Sequence, residues 1–450
     1  MIEPTREVRK AIGLWAATSI GVGGMIGAGI FSILGVAGGI AGNALYLSFI
    51  IAGGIALFST YSYAKLGARF PSAGGPVEFL VRGFGDDVLS GGFNLLLWFG
   101  YVFALSLYAR AFGSYAATFL GPNASGLWVN AFGTAAVVLF TMLNFAGGRA
   151  VGRSELFIVV TKVALLLLFA GIGVFFVKHD LLAVSHWPKT TSVLYGAAVV
   201  FLAYEGFGLV TNAAEDMRDP RRTLPRALYL SVLISVFIYV AVSLVVVGNL
   251  PIARIVAAKD YALAETARPF LGAIGFRLVS ITALFSTASA INATLYGGAN
   301  VSYQIARDGQ LPALFNRKIW GSGLEGLVIT GVLVIICSNL LNLDGIAMLG
   351  SAVFLLVYGA VSVAHLRLWR ETGAHRFVVW AAIASCAVAF VVLAFYEVQH
   401  EPATLVVLAA VVAISFLFEW GYRARTGRRL YPRDPDCGPV PDGSPQASND

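Results

Sequence analysis

Two ionisable residues stand where an apolar chain should hold none. Lys162 lies within "AVGRSELFIVVTKVALLLLFAG" and Glu205 within "FLAYEGFGLVTNAAEDMRDP". An unpaired charge at such a depth costs on the order of a few kcal/mol or more. A buried amine can snorkel to an interface or bind carbonyls. It can also give up its proton, because burial penalises its charged form. A buried carboxyl has three open readings. It can select a cationic substrate such as arginine, lysine or a polyamine. It can serve as a proton site. It can also sit protonated against cavity water, or be neutralised by Arg110 in a neighbouring apolar run.

A third chemical resource is the backbone itself. The stretch "IGVGGMIGAGIFSILGVAGG", Ile20 to Gly39, is apolar enough for a membrane yet rich in glycine. Each glycine weakens a helix by about 1 kcal/mol relative to alanine. Close helix packing through small-xxx-small patterns is one explanation. The sharper one is a helix that unwinds near Met25 to Gly29, since irregular backbone at membrane depth is tolerated where it lines a cavity. An echo favours the second: Gly206 and Gly208 flank Phe207 beside Glu205, five apolar runs later. Paired interrupted helices in two halves of opposite orientation point to a transporter binding site. The free N–H groups of a half-helix bind a carboxylate, and free carbonyls bind an ammonium. The expected ligand is therefore an amino acid, read by its α-carboxylate and α-amine. It is held by Met25, Ile26, Gly27, Ala28 and Gly29 on one side and by Ala203, Tyr204, Glu205, Gly206 and Phe207 on the other.

The elements that position these residues follow from hydropathy. The chain is 58% hydrophobic and 12% charged over 450 residues, with a mean hydropathy of +0.79. That excludes an ordinary soluble globule. The fold class is an all-α polytopic membrane protein. Twelve transmembrane helices are expected near 13–39, 43–66, 87–119, 127–146, 151–176, 192–217, 226–250, 275–305, 324–342, 344–366, 376–396 and 402–421. The mixed stretch Pro251–Gly275 reads as a helix at the membrane surface. The Pro-, Gly- and Ser-rich segment 422–450 reads as a disordered cytoplasmic tail after a transporter domain of residues 1–421.

Charge supports this topology. Of the 31 Lys and Arg, 23 fall in segments on the side of the N-terminus, six on the other side and two, Arg110 and Lys162, within spans. The positive-inside bias places both termini in the cytoplasm, with the chain multi-pass in the cytoplasmic (inner) membrane. It also accounts for the net charge of +7 without a nucleic-acid partner. The three cysteines show no metal-ligand spacing. No H-E-x-x-H, G-x-S-x-G or P-loop occurs, so an enzyme is not expected, and neither is a cofactor or metal.

Three motifs carry a family resemblance: "GGMIGAGIF", "KLGARFPSAGGPVEFL" and "AAEDMRDPRRTLPRAL". With them the chain resembles the amino acid–polyamine–organocation (APC) superfamily, and within it the ApcT-type proton-coupled amino-acid transporters. "SAINATLYGGANVSYQIARDGQLP" extends the likeness. The resemblance implies a LeuT-type five-plus-five inverted repeat, about 13–176 and 192–366, with extra helices at about 376–421. It also implies alternating access. It matches Lys162 to the lysine whose amine stands where sodium sits in sodium-coupled relatives. There it would join carbonyls near Gly21 and Gly24 to the "STASA" stretch, which offers Ser286, Thr287 and Ser289. The partners implied are an amino-acid substrate, a proton and membrane lipid. Glu205 departs from the pattern, because its position is usually apolar or small. A polyamine or cationic amino-acid exchanger, or a nutrient sensor on the same fold, stays open beside the transporter.

Overall fold

The computed structural model describes residues 12–72, 74–121, 125–145, 151–307, 318–319 and 323–426. The helices are α1 (Leu14–Met25), α2 (Leu34–Ala41), α3 (Leu45–Arg69), α4 (Pro76–Phe84), α5 (Val88–Ala117), α6 (Gly126–Phe145), α7 (Val151–Gly173), α8 (His179–Leu182) and α9 (Thr190–Val200). They continue with α10 (Leu209–Asn212), α11 (Pro220–Asn249), α12 (Ile252–Ala257), α13 (Ala262–Arg307), α14 (Glu325–Leu340), α15 (Leu343–Arg367), α16 (Trp369–Thr372), α17 (Arg376–His400) and α18 (Pro402–Thr426). Among the described residues, 10 segments are long and apolar enough to cross a bilayer, and Gly326–Leu340 is a shorter apolar helix. Strand is confined there to a two-residue antiparallel pairing, Lys318–Ile319 with Gly323–Leu324.

Local chemistry sets the helix ends. Proline opens α4 and α11, where its missing N–H costs nothing. The Asn342 side chain caps α15 by accepting from the Gly345 N–H at 2.7 Å. Gly42, at φ +52°, separates α2 from α3, and Gly272, at φ +62°, divides α13 into two helices. Both angles lie in the region that L side chains rarely adopt.

Packing sorts the helices into centre and rim. α1, α5, α9 and α15 are buried along most of their length. α6, α7, α17 and α18 present large apolar side chains outward, among them Met142, Phe157, Phe377 and Val406. A rim that apolar is suited to hydrocarbon rather than to water.

The structure adds to the sequence reading in three places. The stretch after Pro251 has one face turned into the protein, with Ile255, Ala262, Leu263 and Ala264 fully buried, while Ala253, Arg254 and Val256 stay exposed. A Cβ on Gly35 would collide with the Lys259 carbonyl, so this segment packs directly onto α2. Lys259 also pairs with Asp344 at the start of α15. Second, residues 76–84, read only as part of a loop, form the buried helix α4. Arg82 of α4 pairs with Glu78 at 2.6 Å and lies over the Phe70 ring. Third, α18 runs on to Thr426, past the expected span end at 421, while the rest of the expected tail lies outside the described residues.

Candidate functional site

The first apolar run is broken where its glycines cluster. α1 ends at Met25, and Ile26 takes φ −80° and ψ 71°, which no helix accommodates. A π-helical turn, Gly29–Ile33, then leads into α2. Breaking a helix strands the last four carbonyls of its first half. Here they are those of Gly23, Gly24, Met25 and Ile26, and each meets a side chain from a different helix. The Lys162 ammonium of α7 donates to the Gly23 carbonyl at 2.8 Å. The Tyr108 hydroxyl of α5 lies 3.4 Å from the Gly24 carbonyl. Tyr239 of α11 donates to Met25, and Ser286 of α13 donates to Ile26 at 2.7 Å. The helix end is thus a hub that ties α1 to four neighbours. On the far side of the break, the N–H groups opening the Gly29–Ile33 turn face back toward it.

The partner segment is built differently from the expectation. Between α9 and α10 the chain is not unwound: Phe201–Gly208 is a 3-10 helix, wound tighter than an α-helix. Its carbonyls nevertheless accept side-chain hydroxyls. The Tyr239 hydroxyl, whose one proton Met25 and Ala203 share, lies 3.0 Å from the Ala203 carbonyl, and Tyr358 of α15 donates to the Glu205 carbonyl at 2.6 Å. The Tyr204 hydroxyl reaches the Phe49 carbonyl at 2.9 Å. Phe207 packs in a ring cluster with Tyr63 and Tyr358, its centroid 5.2 and 5.0 Å from theirs.

The two segments touch through backbone. A Cβ on Gly29 would stand 2.8 Å from the Ala203 Cβ and 2.9 Å from its Cα. A Cβ on Gly206 would run into the backbone of Gly24 and Met25. Neither residue has a positive φ, so both are glycine for the sake of close approach. Gly27 sits against α13, its Cβ position 2.8 Å from the Ala290 Cβ. Ala28 and Met25 are buried as well.

Glu205 is 1% exposed. Its Oε1 accepts from the Tyr108 hydroxyl at 2.9 Å, while Oε2 is buried with no hydrogen-bond partner. Arg110 is not its counter-ion: that guanidinium donates to the Ser338 carbonyl of α14 at 3.3 Å. Tyr108 holds one proton between two acceptors, Glu205 at 2.9 Å and Gly24 at 3.4 Å.

The residues grouped around Lys162 divide. Ser286 reaches α1, as described. Thr287 bonds back to the Ala283 carbonyl of its own helix at 2.7 Å. Ser289 is half-buried and makes no side-chain hydrogen bond to α1. Gly21 serves packing, with Ser231 and Val210 where its Cβ would be. The tyrosines were missed in the sequence. Their signal was there: a phenol within an apolar run must find an acceptor when it is buried, and Tyr108, Tyr239 and Tyr358 all find backbone carbonyls at or beside the break.

The amino acid permease family model matches residues 12–417. The chain belongs to the amino acid permease family, within the APC superfamily. An uncharacterized protein of Methanocaldococcus jannaschii is 40% identical to the permease over 423 residues, covering 93% of this chain and 97% of the relative. An inner membrane transport protein of Escherichia coli is 36% identical, over 80% of this chain and 84% of its own length. A branched-chain amino acid permease of Bacillus subtilis is 26% identical, over 81% and 82%. The permease is thus a multi-pass membrane protein of an amino-acid transport family, whose members are transporters rather than enzymes.

Proposed function

We propose that the permease is a proton-coupled, sodium-independent amino-acid transporter that works by alternating access. It has twelve spans, a LeuT-type five-plus-five repeat at about 13–176 and 192–366, and extra helices at about 376–421. It sits in the cytoplasmic membrane with both termini inside. One observation carries this reading: the carbonyl end of α1 is held by an ammonium of the chain's own, Lys162 on Gly23, at a broken helix buried in the protein's centre. The Gly23 carbonyl takes a cation where its three neighbours take neutral hydroxyls. A lysine supplies one that can lose its charge by releasing a proton, which a sodium ion cannot do.

The substrate is an amino acid whose carboxylate meets the N–H groups of Ala28 and Gly29, since those of Ile26 and Gly27 already donate to Val22 and Met25, and whose amine meets the carbonyls near Ala203 to Glu205. Its side chain is bounded by the ring cluster of Tyr63, Phe207 and Tyr358. Uptake of labelled neutral, cationic and acidic amino acids into proteoliposomes, with and without an inward proton gradient, tests this. Accumulation that rises with the gradient supports it. Binding without any flux would make the protein a sensor.

A second reading rests on the open Oε2 of Glu205, a buried acceptor beside the break. It could take the side-chain amine of a cationic substrate. On that reading, Glu205→Gln lowers arginine and lysine uptake at least about tenfold more than leucine uptake, the equivalent of one charge-assisted hydrogen bond. Equal losses for both classes would leave Glu205 as a proton or structural group, and competition assays with the same panel read the difference.

A further inference from the structure

We propose that the permease binds the phosphodiester headgroup of an anionic lipid in a basic cavity between α3, α11 and α16. This rests on membrane embedding alone and not on the substrate or coupling assigned above. The cavity has a volume of about 640 Å³ and is lined by Lys65, Arg69 and Arg221, together with the hydroxyls of Tyr61, Tyr229 and Thr372. No carboxylate is among its described lining residues. None of the three cations is ion-paired among the described residues. Lys65 donates to the Gly373 carbonyl at 3.3 Å, and Arg69 lies over the Phe70 ring at 5.3 Å. Neighbouring Arg222 differs in facing Asp219 at 3.8 Å. Three positive charges lining one space with no anion among its described lining residues are matched to an anionic ligand. Guanidinium forks and an ammonium suit a phosphate, with the Tyr61 and Tyr229 hydroxyls left to donate to its ester oxygens, while Thr372 bonds back to its own helix.

The surroundings favour a lipid as the source of that phosphate. The cavity lies on the face that carries the Lys and Arg excess, at the ends of α3 and α11. Tyr61 and Tyr229 present phenols there, as aromatic residues do at a membrane interface. Further along the same helix faces stand exposed apolar side chains. Phe58, three residues before Tyr61, is 42% exposed, and Leu233, four residues after Tyr229, is 51% exposed. Residues at these spacings share a face. A ligand seated in the cavity therefore has polar groups at its head and an apolar path beneath it, which a diacyl phospholipid fills and free phosphate does not. Basic pockets between membrane helices hold anionic headgroups on these terms.

The test is native mass spectrometry of the full-length protein, incubated with equal amounts of phosphatidylglycerol and phosphatidylcholine of the same acyl chains. The expected result is preferential retention of phosphatidylglycerol. Arg69→Gln with Arg221→Gln should cut that preference about tenfold, as expected for removing two cations from an anionic headgroup. Arg376→Gln with Arg425→Gln, an equal loss of charge at the ends of α17 and α18, should leave it intact. Matching elution on size exclusion shows that each variant is folded. Equal retention of both lipids, or equal losses in the two double variants, would overturn the proposal. Inorganic phosphate is the second arm. If it displaces phosphatidylglycerol and by itself raises the unfolding temperature of the wild type but not of Arg69→Gln/Arg221→Gln, the occupant is a soluble phosphate and the lipid assignment fails.

Discussion

Lys162→Ala is expected to abolish accumulation of substrate against its gradient while leaving a folded, membrane-inserted protein. The amine is 2% exposed and donates to the Gly23 carbonyl at 2.8 Å. Deleting it removes the one fixed positive charge placed on the stranded end of α1 and leaves a buried acceptor to be satisfied otherwise, a loss of about 1–3 kcal/mol. The ligand itself meets backbone elsewhere, so binding should survive with at most a modest change. Uptake driven by a proton gradient should fall at least tenfold, the equivalent of about 1.4 kcal/mol in the coupled step. Lys162→Arg keeps a charge that does not dissociate. It should therefore preserve folding and still fail to couple, which separates loss of the proton carrier from loss of a structural contact. Counterflow of labelled amino acid beside gradient-driven uptake gives both readings on one preparation.

The second large effect is expected at Gly206. A methyl group there would enter the backbone of Gly24 and Met25, which cannot rotate aside as a side chain can. Gly206→Val should push the 3-10 segment off α1 and displace the carbonyl and N–H groups that face the ligand. Misplacement by about 1 Å can cost on the order of 10²-fold where groups must converge, and a loss of that size is expected in amino-acid affinity. Gly29→Leu acts on the same interface through Ala203 and should behave alike. Gly54 supplies the control, since nothing lies within 4 Å of its Cβ position, and Gly54→Leu should bind normally. Ligand-dependent thermal shift of each purified variant checks the prediction. Normal affinity in both Gly206→Val and Gly29→Leu would dissociate the backbone contact from the binding site.

How far the sequence could be read depended on what each residue type encodes. The break at Ile26 was legible because glycines at 23, 24 and 27 lower the cost of leaving the helix just there. Lys162 was legible as buried because its run is apolar on both sides. The second segment misled: Gly206 and Gly208 suggested unwinding, yet Gly206 serves a close backbone approach and the chain tightens instead. A glycine alone does not say which of its two uses applies. The packing of the stretch after Pro251 was hidden for a related reason. Its mixed pattern does not say which residues face the protein, and Gly38 offers Ile255 a small partner, with 2.8 Å between the Cβ position and Cγ2. Each tyrosine's need for an acceptor was legible, but not their convergence, because Tyr108, Tyr239 and Tyr358 come from helices far apart in sequence. Only the fold brings their hydroxyls to one pair of segments.

The central claim is that the mobile proton of the transport cycle resides on the chain's own cation at the broken helix. Substrate-driven proton entry tests it most directly. Proteoliposomes containing a trapped pH dye, in sodium-free buffer, would receive a transported amino acid outside with no imposed gradient. The account predicts lumenal acidification for the wild type, unchanged when sodium is added, and none for Lys162→Ala or Lys162→Arg. Acidification that persists in both variants, or that requires sodium, would contradict it.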